Sequence, residues 1–435
     1  MSPYLPSSRL RNALHLVLVA AVPALLVLAL PVRTATQATM VLAVELPDGP
    51  SAGARLFSEK GCARCHAIGG ATPDPAGSSK RLAIGPRIGP DLGGTVLVGN
   101  VLELTGAFWN HAPVMGAKMQ ELGIRRPTVT TAEMADLVAY LTAYRYYDNR
   151  VRAPGNPATG RQVFVEKSCV ECHEGPISWT MPGPNLEKYR GRYAPIFLAQ
   201  AMWNHSTKMS EHMQARGMAW PLLSGQQMTD LVAYLQVGVV AGRVEPVYFE
   251  PGSPRRGQGL FVEKKCSECH AIAGKGGHGG PELGNRGHEL VRSVPDLAAM
   301  MWNHRQQMHA EFTRRNIPFA TFEGQEMADV VAYLYFVNYA HVSGTPERGR
   351  GIFAQHCAAC HAPGQKRIGP DLSTAPGLDT PIGIIAAMWN HATRMEEQVR
   401  QRGLTWPKLA PGDTADLTAF LIASHRAATP VARAR

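Results

Sequence analysis

The cysteines of this 435-residue chain fall into pairs, and each pair belongs to a Cys-x-x-Cys-His motif. The motif occurs four times and uses every cysteine in the chain. The residues are Cys62, Cys65 and His66; Cys169, Cys172 and His173; Cys266, Cys269 and His270; and Cys357, Cys360 and His361. Recurrence of one motif along a chain is typical of internal repeats. The sequence therefore predicts four copies of one unit, which we number repeats 1 to 4.

Each repeat carries further features in the same order around its motif. A glycine stands four residues before a phenylalanine: Gly53 and Phe57, Gly160 and Phe164, Gly257 and Phe261, Gly349 and Phe353. A Gly-Pro-x-Leu segment follows the motif, with its prolines at Pro90, Pro184, Pro281 and Pro370. Next comes Trp-Asn-His, beginning at Trp109, Trp203, Trp302 and Trp389. Each repeat ends on an apolar segment that contains Asp136, Asp230, Asp329 or Asp416.

The closing segment of each repeat has apolar residues at helical spacing, which predicts an amphipathic helix. Since strand-like alternation is absent from the sequence, we expect an all-α fold. Links rich in proline and glycine separate the repeats. The predicted organisation is a signal or membrane anchor at 1–45, followed by domains at 46–148, 155–242, 252–341 and 345–428. Repeat 1 also has an insertion, residues 71–80, which we expect to be a solvated loop.

A Cys-x-x-Cys-His motif is typical of a c-type haem attachment site. Its two thiols form thioethers with the porphyrin, and its histidine ligates the iron. The alternatives are a redox-active cysteine pair, a zinc site or disulfides. A zinc site would need the pairs brought together in twos, whereas here each pair has its own repeat. Four matches that use every cysteine favour four covalently bound haem c groups, with the four motif histidines as iron ligands.

A methionine four residues after the histidine of each Trp-Asn-His is the predicted sixth ligand. Residues i and i+4 share a face of a helix, so both side chains can point at the iron. The predicted methionine ligands are Met115, Met209, Met308 and Met395. The alternative ligands are His111, His205, His304 and His391. We expect these histidines instead to hydrogen-bond a haem propionate or the turn that carries the methionine. Met119 and Met213, present in repeats 1 and 2 alone, are predicted to be core residues.

The tryptophans of Trp-Asn-His are predicted to pack in the core, with an indole bond to a propionate as the alternative. The prolines of Gly-Pro-x-Leu have two possible roles. Their carbonyl oxygens fit as acceptors for the outer ring N–H of the motif histidines, which would fix the tautomer and orientation of each imidazole. A plain turn is equally consistent with the sequence.

Taken together, these motifs make each repeat resemble a class I cytochrome c domain. The resemblance covers roughly residues 53 to 425. It implies a small all-α fold in which the first and last helices cross at glycine and aromatic positions such as Gly160 and Tyr234. It also implies that the proline carbonyls accept from the motif histidines. The departure is the distal methionine, which lies on the Trp-Asn-His segment, well before the closing helix.

The N-terminus predicts export. Arg9 and Arg11 precede an apolar run at 16–32, and positive residues ahead of such a run stay on the inner side. We favour an uncleaved transmembrane anchor over a removed signal peptide, because the run is long and the possible cleavage site at 36–38 is weak. The expected location is the periplasmic side of the cytoplasmic membrane, or the periplasm itself if the segment is removed.

The formal charge of +10 first suggests an anionic partner such as nucleic acid. Four haems would add roughly eight propionate charges and bring the protein close to neutral. No segment interleaves aromatic residues with a run of lysine or arginine. We therefore expect no nucleic-acid binding.

The sequence favours an electron carrier that relays electrons between redox partner proteins. Its partner could be a respiratory or photosynthetic membrane complex. The alternative is a haem-dependent oxidoreductase or peroxidase, which would need one repeat with a missing or displaceable sixth ligand. Since every repeat carries a candidate sixth ligand, we assign no catalytic residue.

Overall fold

The computed structural model describes residues 46–68, 71–73, 81–83, 88–92, 101–147, 155–175, 182–186, 195–237, 252–284, 293–341, 343–362 and 368–428. The predicted anchor at 1–45 lies outside these residues. Within the described ranges, no helix combines the length and the apolar character needed to cross a bilayer. All contacts described below lie within one unit, Met40–Arg435.

Each repeat contains three long helices, which we call the opening, middle and closing helices. The opening helices are Pro50–Glu59, Pro157–Glu166, Pro254–Glu263 and Pro346–His356. The middle helices are Val101–Glu121, Pro195–Ala215, Val294–Arg314 and Pro381–Gln401. The closing helices are Thr131–Tyr147, Gly225–Gln236, Glu326–Tyr339 and Asp413–Ala428. The prediction of an all-α fold is confirmed.

Short elements follow the opening helices. Single helical turns lie at Cys62–Arg64, Val170–His173 and Cys266–Glu268. The described residues include two antiparallel strand pairs: β1 (Ala71–Pro73) with β2 (Arg81–Ala83), and β3 (Ala271–Ile272) with β4 (Lys275–Gly276). The insertion of repeat 1 begins with β1, so the prediction of a solvated loop was wrong for its first three residues. The reason is that β2, just past the insertion, supplies hydrogen-bond partners for β1.

The opening and closing helices of each repeat cross at the glycine of the Gly-xxx-Phe pattern. A Cβ on Gly160 would overlap the carbonyl of Asp230 and come 2.7 Å from the Cβ of Tyr234. One helical turn after Gly160, the ring of Phe164 packs against that of Tyr234 with centroids 5.6 Å apart. The same contacts recur in the other repeats at Gly53 and Tyr140, Gly257 and Tyr333, and Gly349 and Phe420. Close helix contact thus requires glycine here, and the predicted crossing is confirmed.

The aspartate of each closing helix holds the start of the opening helix. A carboxylate oxygen of Asp329 accepts the backbone N–H of Ser253 at 2.7 Å, and Asp416 accepts that of Thr345 at 2.6 Å. Asp136 and Asp230 accept the corresponding N–H groups of Gly49 and Asn156 in repeats 1 and 2. The first N–H groups of a helix lack partners within the helix, so this carboxylate fixes where the opening helix starts. Burial raises the pKa of Asp329, although its hydrogen bonds act in the opposite direction.

The repeats do not pack in sequence order. The middle helix of repeat 1 packs against that of repeat 4, and the middle helix of repeat 2 packs against that of repeat 3. Repeats 1 and 3 also meet, through their closing helices and an exposed Asp48–Arg255 ion pair at 2.8 Å. The contacts therefore connect the repeats in the order 4, 1, 3, 2.

The closing helix of repeat 3 lies deep in this assembly. Every residue from Met327 to Tyr339 is buried. The amphipathic helix predicted for this segment was wrong in repeat 3, because neighbouring repeats cover the face that would meet solvent in an isolated domain.

Candidate functional site

Each Cys-x-x-Cys-His motif forms a single tight turn. The histidine N–H donates to the carbonyl of the first cysteine at 2.9 to 3.0 Å in all four repeats. This bond brings the two sulfurs and the imidazole of one motif into one local arrangement. None of the eight cysteines, all of which lie in the described ranges, forms a disulfide.

The first thiol of each motif is poorly hydrated. Burial raises the pKa of Cys62, Cys169 and Cys266 to about 11 and that of Cys357 to about 12. These thiols are therefore neutral at pH 7. The opposite shift, to a stabilised thiolate, is the feature of a redox-active cysteine pair.

The motif histidines are held from their outer side by the prolines of Gly-Pro-x-Leu. Nδ1 of His66, His173 and His361 lies 3.0 Å from the carbonyl oxygens of Pro90, Pro184 and Pro370 respectively. The corresponding distance from His270 to Pro281 is 2.9 Å. With Nδ1–H donating to the carbonyl, Nε2 is left as the ligating nitrogen. The predicted role of the proline carbonyls is confirmed.

The glycine before each proline allows this contact. A Cβ on Gly89, Gly183 or Gly280 would come 2.5 Å from Cε1 of the motif histidine, and one on Gly369 would clash with His361. In three repeats the glycine N–H also donates to the carbonyl of the second cysteine, at 2.7 to 3.0 Å. The Gly-Pro segment is thus tied to both the backbone and the imidazole of the motif.

A cavity of about 1040 Å³ lies against the motif of repeat 1. Its lining includes Cys62, Cys65 and His66 on one side and Met115 on the middle helix. Most of the other lining side chains are apolar, among them Leu104, Phe108, Leu137, Val138 and Leu141. A large, mostly apolar cavity with few polar groups suits a flat apolar cofactor.

The distal side of this cavity offers more than one ligand. His111 and Met119 line it together with Met115. Met119, which we predicted to be a core residue, lines the cavity one helical turn beyond Met115. Met115, Met209, Met308 and Met395 are all half-buried.

The histidines of Trp-Asn-His bond to their own helices in repeats 2 and 3. Nδ1 of His205 lies 2.8 Å from the carbonyl oxygen of Ala201, and that of His304 lies 2.9 Å from the carbonyl oxygen of Met300. We expected the partner to be a propionate or the turn that carries the methionine. In these two repeats Nδ1 bonds to a carbonyl one turn earlier on the same helix. Burial lowers the pKa of His111, and the nearby His66 and Lys408 add to the effect.

The tryptophans of Trp-Asn-His contact another repeat, a role that the prediction of core packing missed. Trp389 of repeat 4 donates its indole N–H to the carbonyl of Pro127 in repeat 1 at 2.7 Å. Asn390 pairs with the backbone of Val129 by donating to its carbonyl at 2.7 Å and accepting from its N–H at 2.9 Å. In return, Trp109 and Asn110 of repeat 1 bond in the same way to Pro407 and Leu409 of repeat 4.

Repeats 2 and 3 exchange the same bonds. Trp203 and Asn204 bind the backbone of Ala320 and Phe322, while Trp302 and Asn303 bind that of Pro221 and Leu223. We call the receiving segments acceptor loops: 126–129, 220–223, 319–322 and 406–409. Both pairs of repeats thus have an isologous interface, in which each member gives and receives the same contacts.

The first residue of each acceptor loop packs on the tryptophan that it receives. Ring centroids are 4.3 Å apart for Trp406 and Trp109, 4.0 Å for Trp220 and Trp302, and 4.8 Å for Phe319 and Trp203. In repeat 1 the residue is Arg126, whose guanidinium lies 5.2 Å from the ring centroid of Trp389. In repeats 2, 3 and 4 an aromatic residue stands ten residues before the aspartate of the closing helix, and this spacing was the available sequence signal for the loops.

The sequence profile of the cytochrome c family matches the chain four times, over residues 50–144, 157–237, 254–336 and 346–423. The chain belongs to the cytochrome c family. No curated protein and no solved structure gave a significant match. Cytochrome c domains bind haem c covalently and serve electron transfer. This chain consists largely of four such domains in tandem.

The geometry of the repeats fits this cofactor. The turn of each motif supplies two thiols and an imidazole, the proline carbonyl orients that imidazole, and repeat 1 has a cavity of suitable size and polarity. The bound haem would supply one-electron exchange at its iron. The protein supplies attachment, ligand orientation and an apolar environment.

Proposed function

We propose that this cytochrome c carries four haems and relays electrons between redox partner proteins. The observation that carries the proposal is the repetition of the complete attachment turn, with its proline-held histidine, in all four repeats. Since every repeat also carries the methionine and histidine of the Trp-Asn-His segment, each iron has a candidate sixth ligand. An iron with two protein ligands suits outer-sphere transfer rather than chemistry on a bound substrate.

The proposed iron ligands are the motif histidines and Met115, Met209, Met308 and Met395. The position of Met115 in the lining of the cavity that also contains Cys62, Cys65 and His66 supports the methionine in repeat 1. His111 and Met119 are its rivals there. Methionine ligation would give higher reduction potentials than ligation by two histidines.

Substitution of methionine by leucine distinguishes these ligands in repeat 1. We expect Met115→Leu to remove about a quarter of the far-red charge-transfer band of methionine-ligated ferric haem, because leucine keeps the bulk and removes the sulfur. The matched control, Met119→Leu, should leave the band unchanged. The opposite result would assign Met119, and a band absent from the wild-type protein would exclude methionine in every repeat.

The relay proposal takes its order from the contacts between repeats. Electrons would pass within the pairs 1:4 and 2:3 and between repeats 1 and 3, which gives the order 4, 1, 3, 2. Of the repeats that follow one another in sequence, 2 and 3 would exchange directly, whereas 1 and 2, and likewise 3 and 4, would exchange through one intermediate repeat. Repeats 4 and 2 would then be the ends at which external partners donate and accept.

Removing single attachment sites tests both the haem number and this order. Cys62→Ser with Cys65→Ser, or Cys169→Ser with Cys172→Ser, should each lower the haem-to-protein ratio from four to three. After rapid partial reduction, the variant of repeat 1 should redistribute electrons slowly, because the connection between repeat 4 and the 2:3 pair is lost. The variant of repeat 2 should redistribute them as fast as the wild type, whereas a relay in sequence order predicts the reverse. Binding of carbon monoxide by the wild-type reduced protein would argue for an enzyme instead.

The proposed location is the outer face of a bacterial-type cytoplasmic membrane. The support is the N-terminal sequence, in which Arg9 and Arg11 precede the apolar run at 16–32. Whether the segment anchors the protein or is removed, the haem-binding repeats would be exported. Partner proteins would be redox proteins, including a membrane-bound respiratory or photosynthetic complex.

A further inference from the structure

The cavity of repeat 1 is lined in part by repeat 4. Trp389 belongs to its wall, together with Phe108, Pro127 and Val129 of repeat 1. The ring of Trp389 meets Phe108 edge to face, with centroids 6.0 Å apart. A side chain from repeat 4 thus forms part of the wall of the cavity that holds Cys62, Cys65 and His66.

Hydrogen bonds from Trp389 and from the adjacent Asn390 hold this wall in place. Its indole N–H donates to the carbonyl of Pro127 at 2.7 Å, and the adjacent Asn390 pairs with the backbone of Val129. Pro127 and Val129 are themselves lining residues. Repeat 4 therefore supplies one part of the wall and holds another part in place.

We propose that repeat 4 completes the haem site of repeat 1, with Trp389 as the residue that excludes water from its distal side. This inference rests on the proposed binding of haem in repeat 1. Solvent exposure and local polarity tune the reduction potential of a haem, so a residue on this wall has an electronic as well as a structural effect. The pairing of repeats 1 and 4 then affects the reduction potential of the repeat 1 haem.

The test is Trp389→Leu in the full-length haem-loaded protein, with spectroelectrochemical titration of all four haems. We expect one of the four midpoint potentials to fall, because water gains access to the distal side and favours the charged ferric state. Glu397→Gln, an exposed change on the same helix, is the control and should leave all four unchanged. In a protein that already carries Cys62→Ser and Cys65→Ser, adding Trp389→Leu should leave the three remaining potentials unchanged.

Two results would overturn the proposal: four unchanged potentials in Trp389→Leu, or a shift that persists when repeat 1 has no attachment cysteines. If Trp389→Leu does not fold, Trp389→Phe keeps most of the ring and removes the bond to Pro127, and it should give the same single shift at smaller size. A haem ratio that stays at four in the cysteine variant would contradict haem attachment in repeat 1, which is a separate failure of the proposed function.

Discussion

Gly257→Ala is expected to lower the free energy of unfolding by about 3 kcal/mol or more, the upper part of the range for overpacked cores. An added Cβ would overlap the carbonyl of Asp329 and lie 2.8 Å from the Cβ of Tyr333. These are backbone and stem atoms of a buried helix, so the two helices must move apart. That movement would also loosen the bond from Ser253 N–H to Asp329, which fixes the start of the opening helix.

The same helix contains a matched control. Gly259 is exposed, and a Cβ there meets nothing within 4 Å. Gly259→Ala should therefore stabilise the protein by up to about 1 kcal/mol through helix propensity. Chemical denaturation followed by circular dichroism measures both variants. Equal effects of the two substitutions would contradict the tight helix crossing, since the chemical change is identical.

Glu396→Leu is expected to lower the free energy of unfolding by about 3–5 kcal/mol, the cost of leaving one member of a buried ion pair alone. Glu396 lies 3.0 Å from Arg126 across the 1:4 interface, with the two side chains 20% and 7% exposed. Arg126 also donates to the carbonyl of Ala112, but its Nε and Nη1 are buried without partners. Without the carboxylate, the guanidinium loses its counter-ion and keeps the carbonyl of Ala112 and the ring of Trp389 as partners.

The double variant Arg126→Met, Glu396→Leu should recover most or all of this loss. Burial raises the pKa of Glu396 even though Arg126 acts in the opposite direction, so desolvation of the carboxylate outweighs its pairing. Replacing both charges with apolar groups of similar volume removes that cost. A double-mutant cycle measures the coupling, with Glu397→Gln as the surface control that should change stability by less than about 0.5 kcal/mol. A double variant as unstable as Glu396→Leu would show that the pair is net stabilising.

The partner choice of the repeats depends on residues that look unremarkable in sequence. After Trp-Asn-His, repeats 1 and 4 have Ala112 and Ala392, which are buried in the 1:4 pair. Repeat 3 has Arg305, which is 2% exposed and donates to Ser206 and Thr207 of repeat 2 at 3.0 and 2.9 Å. Alanine at the position of Ser206 offers no hydroxyl acceptor. Pairing of repeat 3 with repeat 1 or 4 in this way would leave the Arg305 charge with fewer partners.

The acceptor loops show why this interface could not be predicted from the sequence. Each loop binds a tryptophan and an asparagine through its own backbone carbonyl and N–H groups. Almost any residue supplies such groups, so Ala320 in repeat 3 serves as well as Pro127 in repeat 1. The stacking position likewise accepts Arg126 as well as Trp406. The donating side, in contrast, needs specific side chains, and it is the side visible as a motif.

By itself, the sequence determined the chemistry and the local structure of each repeat. The Cys-x-x-Cys-His turn, the proline that holds its histidine and the glycine at the helix crossing all act over contacts within one repeat, where spacing along the chain limits the geometry. The tertiary structure alone decided that repeat 1 pairs with repeat 4 and repeat 2 with repeat 3. Those pairings join segments far apart in the chain through backbone groups and buried small residues. Their selectivity comes from packing and from burial of charge, which act only when the repeats meet.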